Sequence, residues 1–112
     1  MTARERHDPG DLRHRIVLER PERTPDGLGG AEVEWMPVAT VWAAIRPLGE
    51  RRGLIADQAE ERLRLEVTIR HRSDVASGWR VLHGTRTLSV EQAHDPDERG
   101  AWLRLLAEEE GR

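Results

Sequence analysis

Five histidines, three serines and twenty-one carboxylates are the residues through which this 112-residue chain could do chemistry. His7, His14, His71, His83 and His94 fall in separate segments, without the short pair spacing that builds a common zinc site. The residue two positions beyond His94 is Pro96, so a His-x-carboxylate ligand pair fails there, and Asp95-Pro96-Asp97 is a turn sequence. With no Cys there is no thiolate ligand, cysteine nucleophile or disulfide framework. Ser73, Ser77 and Ser89 lack the G-x-S-x-G elbow of a hydrolase. Gly27-Leu28-Gly29-Gly30 has neither the lysine nor the following helix of a phosphate-cradling loop. These residues predict no catalytic set, no cofactor and no metal, hence a protein that is not an enzyme.

The charges point the same way. Some 35% of residues are charged, yet the formal net charge is only −3 and the two signs are interspersed. No large basic field exists to neutralise a duplex backbone. Every basic residue is Arg, whose planar guanidinium suits bidentate pairing across subunit contacts. Phe and Tyr are absent, so four Trp must supply aromatic packing, and their apolar neighbours place them in the core. No run reaches the roughly 18 apolar residues that span a bilayer, and the charged start lacks a signal-peptide core, which predicts a soluble cytoplasmic protein with no membrane partner.

These residues need elements to hold them, and the chain reads as one domain over residues 13–107 between a flexible arm at 1–12 and a solvated tail at 108–112. Strands are expected at Arg13–Arg20, ended by Pro21, and at Ala31–Met36 and Val38–Ile45, separated by Pro37. Pro21–Gly30 is expected as the loop between them. Val41, Ala43 and Ile45 share one face while Trp42 and Ala44 take the other, so this strand is covered on both sides or meets another subunit. Residues 49–61 lose the alternation, predicting a short helix over Gly53–Glu61, with a long loop as the competing reading. Arg62–Arg72 is the clearest strand: Leu63, Leu65, Val67 and Ile69 alternate with Arg64, Glu66, Thr68 and Arg70. A hairpin of Trp79–His83 with Arg86–Ala93 and a last strand at Ala101–Leu106 complete the set. The fold class is mainly β: a small antiparallel barrel of six or seven strands with one short helix or long loop.

Six segments, in order, resemble the phage head–tail joining family, the head-closure or stopper proteins of tailed phages. They are Gly10-Asp11-Leu12-Arg13-His14-Arg15-Ile16; Gly29-Gly30 through Trp35; Val38 through Leu48; Leu65-Glu66-Val67-Thr68-Ile69-Arg70-His71-Arg72; Gly84 through Val90; and Asp95-Pro96-Asp97-Glu98-Arg99-Gly100-Ala101-Trp102-Leu103-Arg104-Leu105. Thr87-Leu88 stands where an aromatic is usual, and His71 where Tyr is common. The resemblance implies a ring, hexamer or dodecamer, in the neck of a phage, prophage or gene-transfer-agent particle. Its partners would be further copies, a portal or adaptor protein above, a tail terminator or tail tube protein below, and packaged double-stranded DNA in the channel. Assembly in the bacterial cytoplasm would precede that neck location.

A ring needs two complementary lateral surfaces. The candidates are the edge at Pro37–Ile45 with Trp42, and the Arg-rich face carrying Arg64, Arg70 and Arg72, with Glu32, Glu34 and Glu50 as ion-pair partners. Of the two loops long enough to enter a channel, residues 49–61 are the better candidate. Arg51, Arg52, Leu54, Ile55 and Asp57 are its proposed channel residues, the apolar ones packing near the axis.

Overall fold

The computed structural model describes residues 9–55 and 58–110. After a single 3-10 turn at Pro9–Asp11 come six strands: β1 (His14–Pro25), β2 (Ala31–Ile55), β3 (Gln58–Arg70), β4 (Arg80–His83), β5 (Arg86–His94) and β6 (Trp102–Glu109). All neighbours are antiparallel, and they close into a barrel in the order β1-β2-β3-β6-β5-β4.

Alternation fills the interior. Ile16 and Leu18 on β1, Ala43 on β2, Leu65, Val67 and Ile69 on β3, Val81 on β4, Leu88 and Val90 on β5, and Leu103, Leu105 and Ala107 on β6 are all buried. Each large aliphatic removed from water contributes about 1.5–3 kcal/mol. The four tryptophans do not share this core, contrary to the expectation from their neighbours. A six-stranded barrel has a narrow bore that aliphatic side chains fill completely. Only Trp79, entering β4, packs partly against it. Trp42 is 52% exposed, and three of the rings lie on the outer surface beneath guanidinium groups: Arg15 over Trp42 at 5.3 Å, Arg70 over Trp102 at 5.7 Å and Arg80 over Trp35 at 4.4 Å.

β2 organises everything else. Its 25 residues would exceed the 53 Å long axis of the molecule at about 3.3 Å per residue, so it has to bend. It does so at two bulges. Leu18 pairs with Ala39 and Glu19 with Pro37, leaving Val38 unopposed; Pro47 pairs with Leu65 and Gly49 with Arg64, leaving Leu48 unopposed. Each bulge follows a proline, which has no N–H to offer the ladder. The prolines therefore kink the strand where the sequence suggested that they end it. Pro21 likewise lies inside β1, opposite Trp35, in a stretch whose other edge is open because β4 pairs only with Val17–Glu19.

Two hairpins leave the barrel as a result, one from each end of β2. The first joins the outer part of β1 to residues 31–36 of β2, where the two strands pair only with each other. The second replaces the expected helix: β2 runs on to Ile55 and returns as β3 from Gln58, with Arg51 opposite Arg62, Arg52 opposite Glu61 and Leu54 opposite Ala59. Seven β2–β3 register pairs, from Gly49 with Arg64 to Ile55 with Gln58, hold that stretch extended, overriding the modest helix propensity of its Ala and Glu residues. The radius of gyration, 15.8 Å, exceeds the roughly 13 Å of a compact domain of this length, as projecting hairpins require.

Candidate functional site

Among the described residues a concave region lies where β2 and β3 part beyond Ala44 and Thr68, and register builds it. Arg15 on β1 pairs with Trp42 on β2, Thr68 on β3 pairs with Ala44, and Arg70 pairs with Trp102 on β6. Trp42 and Arg70 are thus brought to one level of the wall. His71 continues the line, its N–H donating to the carbonyl of Ala101 at 3.1 Å. Leu12, Val41, Trp42, Arg70, His71 and Arg72 line an open cavity of about 590 Å³. Its lining is an indole, two aliphatic groups, two guanidiniums and an imidazole, with no carboxylate. Arg72 is oriented by Asp74, to which its Nε and a terminal nitrogen donate at 3.1 and 2.9 Å. That bidentate contact holds the Asp74 carboxyl below the usual carboxylate range.

Around the rest of the barrel, ion pairs seal the wall. Glu66 points outward from β3 yet is only 8% exposed, because Arg46 at 3.1 Å and Arg104 at 3.5 Å cover it. Glu19 accepts from Arg80, which also stacks on Trp35. Arg86 reaches both oxygens of Glu109 at 3.3 Å. His14 and His83 meet edge to face, centroids 4.9 Å apart. Burial, then the charges of His14 and Arg86, lower the His83 pKa below its ordinary 6.5. Among the described residues, no group of three or more His, Cys, Asp or Glu is placed to hold a metal ion, and no helix is long and apolar enough to cross a membrane.

Of the residues singled out in the sequence, Trp42, Arg70 and Arg72 come together at the cavity. Arg64 does not: it lies toward the other end of β3, level with Gly49 and Glu108, and pairs with Glu91 at 3.8 Å. Glu32 and Glu34 are exposed on the first hairpin, opposite Thr24 and Glu22. Arg51, Arg52, Leu54 and Ile55 lie on β2 in the second hairpin, and Asp57 falls outside the described residues.

Sequence reasoning missed the cavity residues Leu12, Val41 and His71, and it missed Leu28. The last sits at the first hairpin's tip, 90% exposed. Asp26 builds the turn beneath it: one carboxylate oxygen accepts from the N–H of Leu28 at 2.7 Å and of Gly30 at 3.1 Å, while the Asp26 N–H donates to the Gly30 carbonyl at 3.2 Å. Gly27 and Gly29 take φ values of 80° and 86°, a region other residues rarely enter. A large apolar residue set among three glycines was the signal available, since such a residue has no local partner to pack on.

Residues 7–110 match a family described as phage head completion protein. Among solved structures, a chain from the virion of a native gene transfer agent particle has a TM-score of 0.75 at 23% identity, covering 89% of this chain and 96% of its own. A protein from Shigella flexneri 2a, solved in solution, has a TM-score of 0.65 at 24% identity, covering 95% and 99%. Both share this fold. No curated protein matches the chain.

Proposed function

The chain belongs to the phage head completion protein family, a structural family of phage and phage-like particles, and from that premise we propose that its copies close into a ring, a hexamer or dodecamer, in the neck between head and tail. The ring would sit below a portal or adaptor protein and above a tail terminator or tail tube protein. It would retain the packaged double-stranded DNA and offer the tail its docking surface. The observation that carries this reading is the family match across nearly the whole chain. A barrel with a hairpin at each end of one strand suits the role, since it can touch neighbours while its core stays closed.

In this reading the protein is not an enzyme; its work is done by contacts. Trp42, Arg70 and Arg72 face one lateral neighbour, and Glu32 and Glu34 face the other. Single exposed pairs contribute only about 0–1 kcal/mol, so repetition around the ring supplies the specificity. The second hairpin, with Arg51, Arg52, Leu54, Ile55 and Asp57, reaches the channel and obstructs DNA exit. Labelling the protein in purified particles tests the position: signal at the tail vertex is expected, and its absence there removes the neck assignment. Deleting residues 53–57 should give particles that lose DNA on storage, whereas unchanged retention takes this hairpin out of the channel.

A small barrel can also bind single-stranded nucleic acid by stacking bases on bare aromatic faces beside cations. Here Trp35, Trp42 and Trp102 each already carry a guanidinium over the ring, which favours the protein-contact reading. Gel-shift titration of the purified chain at several salt concentrations should show negligible affinity.

A further inference from the structure

We propose that the β1–β2 hairpin of one copy inserts its tip into the Trp42–Arg70 cavity of the next copy, so that Leu28 is the plug and the cavity its socket. This deepens the ring reading above and rests on it for its biological setting.

Three observations support the pairing. The plug is preorganised: Asp26 fixes the turn through two hydrogen bonds, and Leu28 stands on it almost fully exposed. Little conformational freedom is therefore lost when it docks. The hairpin also carries more apolar surface than it can use, with Val33 45%, Met36 37% and Val38 36% exposed in addition to Leu28. A socket with apolar walls and a volume of about 590 Å³ has room for a leucine and its turn.

The charges match as well. Residues 20–36 hold four carboxylates (Glu22, Asp26, Glu32, Glu34) against two guanidiniums (Arg20, Arg23). The socket is lined by Arg70, His71 and Arg72, with Arg15 beside it over Trp42; Arg72 is already paired with Asp74, so Arg70 and Arg15 carry the charge match, and none of the lining residues is acidic. Arg70 is exposed, held over Trp102 on the wall.

A molecule cannot satisfy itself in this way. Val41 in the socket lies ten positions along β2 from the base of the turn at Ala31, roughly 30 Å of strand. Plug and socket are thus different surfaces of one chain, and their contact is head to tail, the kind that propagates and closes into rings.

The chain's lack of Cys makes the test direct. Leu28→Cys combined with Val41→Cys supplies one thiol at each surface, and a disulfide needs Cα atoms within about 7 Å, so the two cannot bridge within one copy. Leu28→Cys with Leu12→Cys repeats the test should Val41→Cys disturb the core. Mild oxidation of assembled particles should give a ladder of covalent multimers from either double variant and none from the single ones, and adding Arg70→Glu should abolish it. Particles that contain the variant yet yield only monomer overturn the docking while leaving the neck assignment standing. Dimers from Leu28→Cys alone, which mean tip against tip, overturn it too. If the protein is missing from particles, the neck assignment falls instead; oxidation of the concentrated purified chain then decides the docking, a ladder upholding it and monomer alone ending it.

Discussion

Barrel and first hairpin are made from the same two strands and obey different rules. Inside the barrel, alternate residues of β1 and β2 face the core: Ile16, Leu18 and Ala43 are fully buried, and Val41 and Ile45 pack partly against them. Eight or so residues along β2, an alternation continues with Val33 and Trp35 set against Glu32, Glu34 and Met36, but the sheet there has only two strands and no second layer. The Val33 and Met36 side chains remain in water. An isolated two-stranded ribbon is marginal by itself. This one is held by continuity with the barrel, by the Asp26 turn, and by Arg80 bridging Glu19 and Trp35 at its base. The barrel's residues serve stability, while the hairpin's apolar residues contribute little to it and are available for contact.

Mutations can break that comparison. The largest effect is expected in the barrel: Leu105→Ala or Ile69→Ala should lower unfolding free energy by about 2–5 kcal/mol in urea titrations, since each side chain is fully buried. Glu66→Ala takes the shared acceptor from Arg46 and Arg104 and should cost about 1–2 kcal/mol, a figure reduced because Arg46 is more than half exposed. Gly27→Ala forces a side chain into φ 80° and should cost about 1 kcal/mol, read in the same titration. Leu28→Ser should change stability by less than about 0.5 kcal/mol. A Leu28→Ser loss comparable with Leu105→Ala would mean that the tip belongs to the fold and the contrast is false.

A finer distinction comes from pH. Folding keeps His83 from taking up a proton, so its pKa is lower in the folded chain than in the unfolded one. The resulting stability is present above pH 6.5 and is lost as pH falls from there through the folded-state pKa. The urea midpoint of the native chain should decline over that interval, and His83→Gln should flatten the decline. Equal slopes for both proteins would show that the His14–His83 contact does not sense pH.

The barrel was legible in the sequence wherever one face is buried. Residues 63–70 alternate so regularly that the strand and its core face follow from Leu65, Val67 and Ile69 alone. The tryptophans were misplaced because adjacency to Val or Leu says nothing about the width of the space inside, and a six-stranded bore excludes an indole. The second hairpin was hidden for another reason. Its extended form is imposed by cross-strand pairing between residues 49–55 and 58–64, a non-local effect that local propensity does not contain. The cavity joins Leu12, Val41, Trp42 and three residues nearly thirty positions later, so only closure of the sheet reveals it. The clustering of Trp42, Arg70 and Arg72 was still within reach, because all three were marked as candidate subunit-contact residues.

The two prolines in β2 have a mechanical consequence. A single backbone runs from the tip at Leu28, through the wall, to the far hairpin at Ile55, and Pro37 and Pro47 are where the ladder along it is interrupted. A load applied to one tip therefore travels as tension or tilt along one ribbon, with these two joints setting its compliance. Stiffening or loosening either joint would alter how far a displacement at one end of the subunit is felt at the other.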